Sequence, residues 1–133
     1  MTIRIRDAYA MIVALSALAA CSETGPAYGP PSANARASII MSGLHFQPDT
    51  TYVKVGDTVE WRNQSSFTHS VNADPARFPE DVSLPAGAAP FDSGRIPPGG
   101  IYSHAFTAPG TYKYVCLPHV DFGMTGTVVV EPR

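Results

Sequence analysis

The 133 residues carry 9 Lys and Arg against 11 Asp and Glu, with 44% apolar and 15% charged residues, 13 Pro, 11 Gly and 2 Cys. That length accommodates one small domain, and the dispersed charge offers no basic stripe for phosphates, which excludes nucleic-acid binding. Every Gly and Pro falls at or beyond Gly25, a density of turn formers that excludes a bundle of long helices.

Arg4 and Arg6 precede an apolar run from Ala8 to Ala20. It is too short to span a bilayer and has the charged start of a secretory signal, so residues 1–20 are expected to be removed. The run ends Leu18-Ala19-Ala20-Cys21, which resembles the bacterial lipobox, whose cysteine is lipidated and becomes the mature N-terminus. Two other readings of Cys21 stay open: ordinary cleavage near Ala20 beside an incidental cysteine, or a disulfide with Cys116 in an oxidising compartment. The remaining chain has 7 basic and 10 acidic side chains and is mildly acidic. Residues 21–37 are rich in Pro, Gly, Ser and Ala and read as a lipid-anchored tether. Ser22 stands where the inner-membrane retention signal would resemble Asp, which favours the outer membrane. The expected location is the periplasmic side of a bacterial envelope.

From residue 38 to 133 the chain alternates apolar and polar residues over short stretches, a strand pattern. Val53 and Val55, then Val59 and Trp61 after the Gly56-Asp57 turn, share one face, while Lys54, Thr58, Glu60 and Arg62 alternate outward. Tyr102, His104 and Phe106 share a face; Pro109-Gly110 turns the chain; Tyr112, Tyr114 and Cys116 face inward; Gly126, Val128 and Val130 close the domain. This spacing predicts an all-β, two-sheet, antiparallel Greek-key sandwich of about eight strands. Residues 73–98 show no period and read as one long irregular excursion.

The segment Cys116-Leu117-Pro118-His119-Val120-Asp121-Phe122-Gly123-Met124 is a C-x2-H-x4-M loop, and His69 lies 47 residues before its cysteine. Two His, one Cys and one Met make the donor set of a blue-copper centre, a trigonal plane with a weak axial thioether. Thiolate and thioether suit Cu(I) and imidazole suits either oxidation state, whereas zinc has little use for Met124. Taken singly, His69 reads as a loop histidine, Met124 as a core residue and Cys116 as a buried inert thiol; the combination reverses those readings. His45 reads as a solvated strand-edge residue and His104 as a hydrogen-bonded core histidine, neither of them a ligand.

These residues sit among further motifs: F-x-P at Phe46 to Pro48, V-K-V-G-D-T-V-E-W-R-N from Val53 to Asn63, H-x-V at His69 to Val71, P-P-G-G at Pro97 to Gly100, and P-G-T-Y-K-Y-V-C-L-P-H from Pro109 to His119. Together they resemble the cupredoxins of the plastocyanin, pseudoazurin and amicyanin branch, from about Ser38 to Glu131. The resemblance implies an eight-stranded Greek-key sandwich with one type 1 copper near one end, held by His69, Cys116, His119 and Met124. It implies a carrier of single electrons rather than an enzyme, exchanging through the ring edge of His119 within an apolar patch that Pro118, Val120 and Phe122 could build. Redox partners would be c-type cytochromes or a copper or haem reductase or oxidase, with the membrane engaged through lipid on Cys21 and the protein monomeric. Pro118 has no N–H to offer the Cys116 sulfur, which favours a lower potential unless dryness opposes it. Where family members often carry Asn after the first His, this chain has Ser70, and where plant members place an aromatic outlet before the Cys, it has Val115.

Two other functions stay open. A copper storage or delivery lipoprotein would need exchangeable Met-rich or His-rich tracts, and only Met41 and Met124 remain after residue 20. A copper enzyme would need a further catalytic metal site.

Overall fold

The computed structural model describes residues 31–133; the expected signal segment, Cys21 and most of the tether lie outside them. Among the described residues no helix is long and apolar enough to cross a membrane. The strands are β1 (Ala35–Ser42), β2 (His45–Gln47), β3 (Thr50–Lys54), β4 (Thr58–Asn63), β5 (Asn72–Ala73), β6 (Phe91–Asp92), β7 (Ile101–Ala105), β8 (Gly110–Val115) and β9 (Thr125–Glu131). They form two sheets, in the orders β2-β1-β4-β7 and β3-β9-β8-β5-β6.

The two-sheet sandwich is as the alternation predicts, but the sheets are mixed rather than antiparallel. β1 runs parallel to β4, and β3 parallel to β9. Gly56-Asp57 explains why: it joins strands of different sheets. Gly56 N donates to Phe106 O at 2.7 Å and Phe106 N to Asp57 O at 3.0 Å, pinning the crossover. β1 starts at Ala35, ahead of the residue at which the tether was expected to end.

The inner faces follow the period of two. Ile39, Met41, Val59, Trp61, Tyr114, Val128 and Val130 are buried, and the cross-strand pairs Ile39↔Trp61, Trp61↔Tyr102 and Tyr114↔Gly126 set their mutual positions. Trp61 meets Tyr114 edge to face at 5.5 Å and 89°, the offset that ring quadrupoles favour. Gly126 makes room for this: a Cβ there would come 2.4 Å from the Tyr114 ring. His104 stacks on Phe91 at 4.0 Å and meets Phe106 edge to face at 4.8 Å, so ring packing holds it, and burial lowers its pKa. His45 is exposed on β2, as expected.

The excursion between residues 73 and 98 is tied back at intervals. Ser83 bridges Lys113, β6 pairs with β5, and Ile96 bridges His69; Val82, Phe91 and Ile96 bury their side chains in the core. These anchors are single apolar residues between turns, too sparse to give a period.

Glu60 and Arg62 depart from expectation. They lie on the outer face of β4, yet both are buried, at 1% and 3% relative exposure. Arg62 Nη1 donates to Glu60 Oε1 at 2.9 Å, and Ser32 N donates to Glu60 Oε2 at 3.3 Å. The segment before β1 thus reaches this face and helps convert two outward charges into an enclosed pair. Burial pushes the Glu60 carboxyl up, but the bonds from Ser32 and Arg62 together with the Arg62 charge outweigh it and leave the pKa below its ordinary 4.5. A depressed carboxyl stabilises the fold above its unfolded pKa and loses that contribution as pH falls through the folded value. Glu60→Gln should therefore cost about 1.5–3 kcal/mol at neutral pH, the scale of a hydrogen bond to a charged group. In urea titrations the gap from wild type should narrow as pH falls below 4.5 and stay constant above neutrality.

Candidate metal centre

At one end of the sandwich two loops meet. The first follows β4 and carries His69; the second joins β8 to β9 and carries Cys116, His119 and Met124. In the second loop Cys116 N donates to Met124 O at 2.9 Å, continuing the β8–β9 ladder by one step, and His119 N donates to Cys116 O at 3.0 Å. A 3-10 turn over Leu117–Phe122, with Pro118 in its first turn, breaks at His119 (φ −129°, ψ 17°). Gly123 then reverses the chain in the left-handed region at φ 76°, where a side chain would be strained.

The first loop is fixed by Asn63, a fully buried polar side chain. Its Nδ2 donates to Phe67 O at 2.7 Å and to Ile96 O at 3.0 Å, and its Oδ1 accepts from Ser65 N at 3.0 Å. His69 exchanges main-chain bonds with Ile96 at 2.8 and 3.0 Å. Ser70 ties the two loops together. Its N donates to Cys116 Sγ at 3.4 Å, and its Oγ accepts from Leu117 N at 2.8 Å. The hydroxyl makes the link that a longer Asn amide would make.

His69, Cys116 and His119 converge, with one donor atom from each lying within 4.8 Å of the others. Cys116 Sγ is 3.5 Å from His69 Nδ1 and 3.3 Å from His119 Nδ1. Bond lengths of about 2.0 Å to imidazole and 2.3 Å to thiolate, as in zinc sites, would separate such ligands by roughly 3.3–3.9 Å at angles of about 100–130°. Both sulfur–nitrogen separations therefore match those of ligands sharing a single ion. Met124 is buried at 1% exposure and joined to the others through its main chain: its O accepts from Cys116 and its N donates to His119 O at 3.3 Å. This set of soft sulfur and imidazole fits copper.

Burial raises the Cys116 thiol pKa, outweighing hydrogen bonds from Ser70 and His119. Burial, then the neighbouring His119, lowers that of His69. Both directions favour the uncharged side chains, whereas metal binding requires the thiolate, so uptake of the ion is coupled to loss of the thiol proton.

Only His119 among the three is partly exposed. Its ring lies 6.1 Å from Phe67 and 6.5 Å from Phe122, themselves 51% and 72% exposed. Of the three residues expected to build an apolar patch, Pro118 and Phe122 are exposed and Val120 packs partly against the core, and Phe67 adds a further exposed ring. Sequence reasoning overlooked Phe67 and Ser65, for which the pattern holds no signal. Asn63 did carry one: it continues the inward register of Val59 and Trp61, marking a buried polar group.

Residues 33–131 match the family model of copper-binding proteins of the plastocyanin/azurin family. The chain belongs to that family. It is 38% identical over 89 residues to plastocyanin of Vicia faba, covering 67% of this chain and 90% of that protein. With the chloroplastic plastocyanin of Tetradesmus obliquus it shares 35% over 100 residues, covering 75% and 68%. A reduced amicyanin variant superposes with a TM-score of 0.61 at 30% identity, covering 80% of this chain and 95% of that one, and an oxidised variant with 0.59 at 33% identity, covering 71% and 81%. The cupredoxin is thus a blue-copper electron-transfer protein with one type 1 copper as cofactor, and not an enzyme.

Ser70→Ala would leave the Leu117 N–H without its acceptor. The metal-free protein should lose about 1 kcal/mol in chemical denaturation, the scale of one such bond. Ser70→Asn should retain that stability, because a groove of about 230 Å³ beside Ser70 and Pro118 has room for the larger amide.

Proposed function

We propose that His69, Cys116, His119 and Met124 hold the copper, and that electrons enter and leave through His119. The convergence of two Nδ1 atoms on one sulfur carries this reading. When bound, the ion supplies a Cu(I)/Cu(II) couple whose two states tolerate the same soft donors. The chain's own part is to keep those donors still. Cys116, His69 and Met124 are enclosed, so little solvent has to reorganise when the charge changes, while Phe67 and Phe122 offer a small apolar rim to a passing partner. A rim of that size suits a short-lived encounter. Enclosure of three of the four donors also disfavours delivery, which needs donors that a receiving protein can displace.

The wider reading is a lipoprotein on the periplasmic side of a bacterial envelope membrane, lipidated at Cys21 and exchanging electrons with c-type cytochromes or with a copper or haem reductase or oxidase. Its support is the charged start, the apolar run and the small residues before Cys21.

Three experiments test these claims. Copper-loaded protein should show the intense thiolate-to-Cu(II) charge-transfer band of a blue site, and Cys116→Ser should abolish it; a colourless Cu(II) adduct of the wild type would refute the ligand assignment. Mixed in a stopped-flow cell, it should oxidise a reduced c-type cytochrome and keep its metal. Expressed from residue 1 in a Gram-negative host, the protein should fractionate with membranes and carry acyl mass on Cys21, and Cys21→Ala should release it; a wild type that fractionates as soluble, unacylated protein would rule the anchor out.

A further inference from the structure

His69 has a second ring nitrogen, and the sequence motifs assign nothing to it. Its Nε2 lies 2.7 Å from Ser65 Oγ. That hydroxyl is crowded: Asn63 Oδ1 lies 2.9 Å away, Phe67 O 3.2 Å, and Phe67 N donates to it at 3.1 Å. A hydroxyl has one proton and two lone pairs, so the contacts determine who donates to whom. If Nε2 carries a proton, the two lone pairs accept from His69 and Phe67 N, and the hydroxyl proton goes to Asn63 Oδ1. Only the longer approach to Phe67 O is then without a hydrogen, and Asn63 Nδ2 already donates to that oxygen at 2.7 Å. If Nε2 is bare, the hydroxyl proton must turn to the ring, leaving two oxygens 2.9 Å apart with no hydrogen between them.

We infer that Ser65 is the positioning residue of the copper site: its hydroxyl accepts the Nε2 proton of His69 and so keeps the bare Nδ1 turned toward Cys116. The inference rests on the copper reading, since it concerns how one proposed ligand is presented. The ring is held from three directions. Main-chain bonds to Ile96 fix its backbone, Ser65 fixes its outer nitrogen, and Asn63, bonded to Ser65, Phe67 and Ile96 together, fixes Ser65. Partners on the far nitrogen of a metal-bound imidazole generally set its tautomer and raise its basicity. Here that partner is a neutral hydroxyl, so His69 is oriented without a second charge being placed in a buried site.

The test begins without metal. Nitrogen-15 NMR of the apo protein, at a pH where the ring is neutral, should show His69 protonated at Nε2 in the wild type and in Ser65→Thr, which keeps the hydroxyl. Ser65→Ala should populate the Nδ1–H form and bind copper about 10–100-fold more weakly against a competing chelator, with Ser65→Thr restoring the affinity. A merely structural role would lower apo stability without moving the tautomer. A blue wild type whose apo His69 is protonated at Nδ1, or a Ser65→Ala protein with wild-type copper affinity, would overturn the role of Ser65 alone. A wild type with the Nε2–H tautomer that never turns blue would count against the copper reading instead. The wild-type tautomer measurement decides the question even if Ser65→Ala fails to fold.

Discussion

The Cys116 sulfur sits between two imidazole nitrogens at 3.3 and 3.5 Å, and that separation is enforced by main-chain bonds on both sides of it. A neutral thiol is at ease in this enclosure, but the fully buried His69 imidazole left to itself would prefer water. They are held because the β8–β9 ladder runs one step past its last strand residue to pair Cys116 with Met124, and because Ile96 clamps His69 on the opposite loop. Ser70 closes the gap between the two loops with one bond from its N and one to its Oγ. The sandwich beneath is a cluster of rings spanning both sheets: Tyr114 meets Phe46 and Trp61 edge to face, and Phe106 lies tilted against Trp61.

That packing has a cost, visible at two buried polar positions. Asn63 sits at the end of β4 among core residues and is tolerated because its amide finds partners on both sides. Glu60 and Arg62, on the other face of the same strand, are tolerated because each neutralises the other and Ser32 contributes a further donor. Enclosing charge seldom adds net stability. What the pair does give is an attachment for the chain just before β1, through Ser32 N on Glu60.

Much of this was legible in the sequence, for a physical reason. A strand buried on one face must alternate, and Val53, Val59, Trp61, Tyr112, Tyr114 and Val128 do so and are all buried. The convergence of His69 with Cys116 and His119 was legible through spacing and donor type, since few other uses bring those side chains together. Three things were not. Strand direction was missed, because alternation is the same in parallel and antiparallel pairs and the crossover at Gly56-Asp57 resembles a hairpin turn. The burial of Glu60 and Arg62 was missed because a charge on the outward register reads as solvated until something lies over it. Ser65 was missed because a loop hydroxyl acquires meaning only once distances to His69 and Asn63 are known.

The break in the 3-10 turn at His119 reconciles two opposed demands on the site. A donor set that must change charge without moving should be dry and crowded, and His69, Cys116 and Met124 are. A donor set that must exchange electrons needs one member within reach of another protein. Had Leu117–Phe122 continued as a regular turn, His119 would have kept helical backbone angles; the departure to φ −129° lets its Nδ1 face the Cys116 sulfur while the ring stays partly exposed between Phe67 and Phe122. Gly123 then returns the chain so that Met124 meets Cys116 across the ladder. Exposure among the three converging side chains is thus confined to the His119 ring, with the exposed phenyl groups of Phe67 and Phe122 on either side of it.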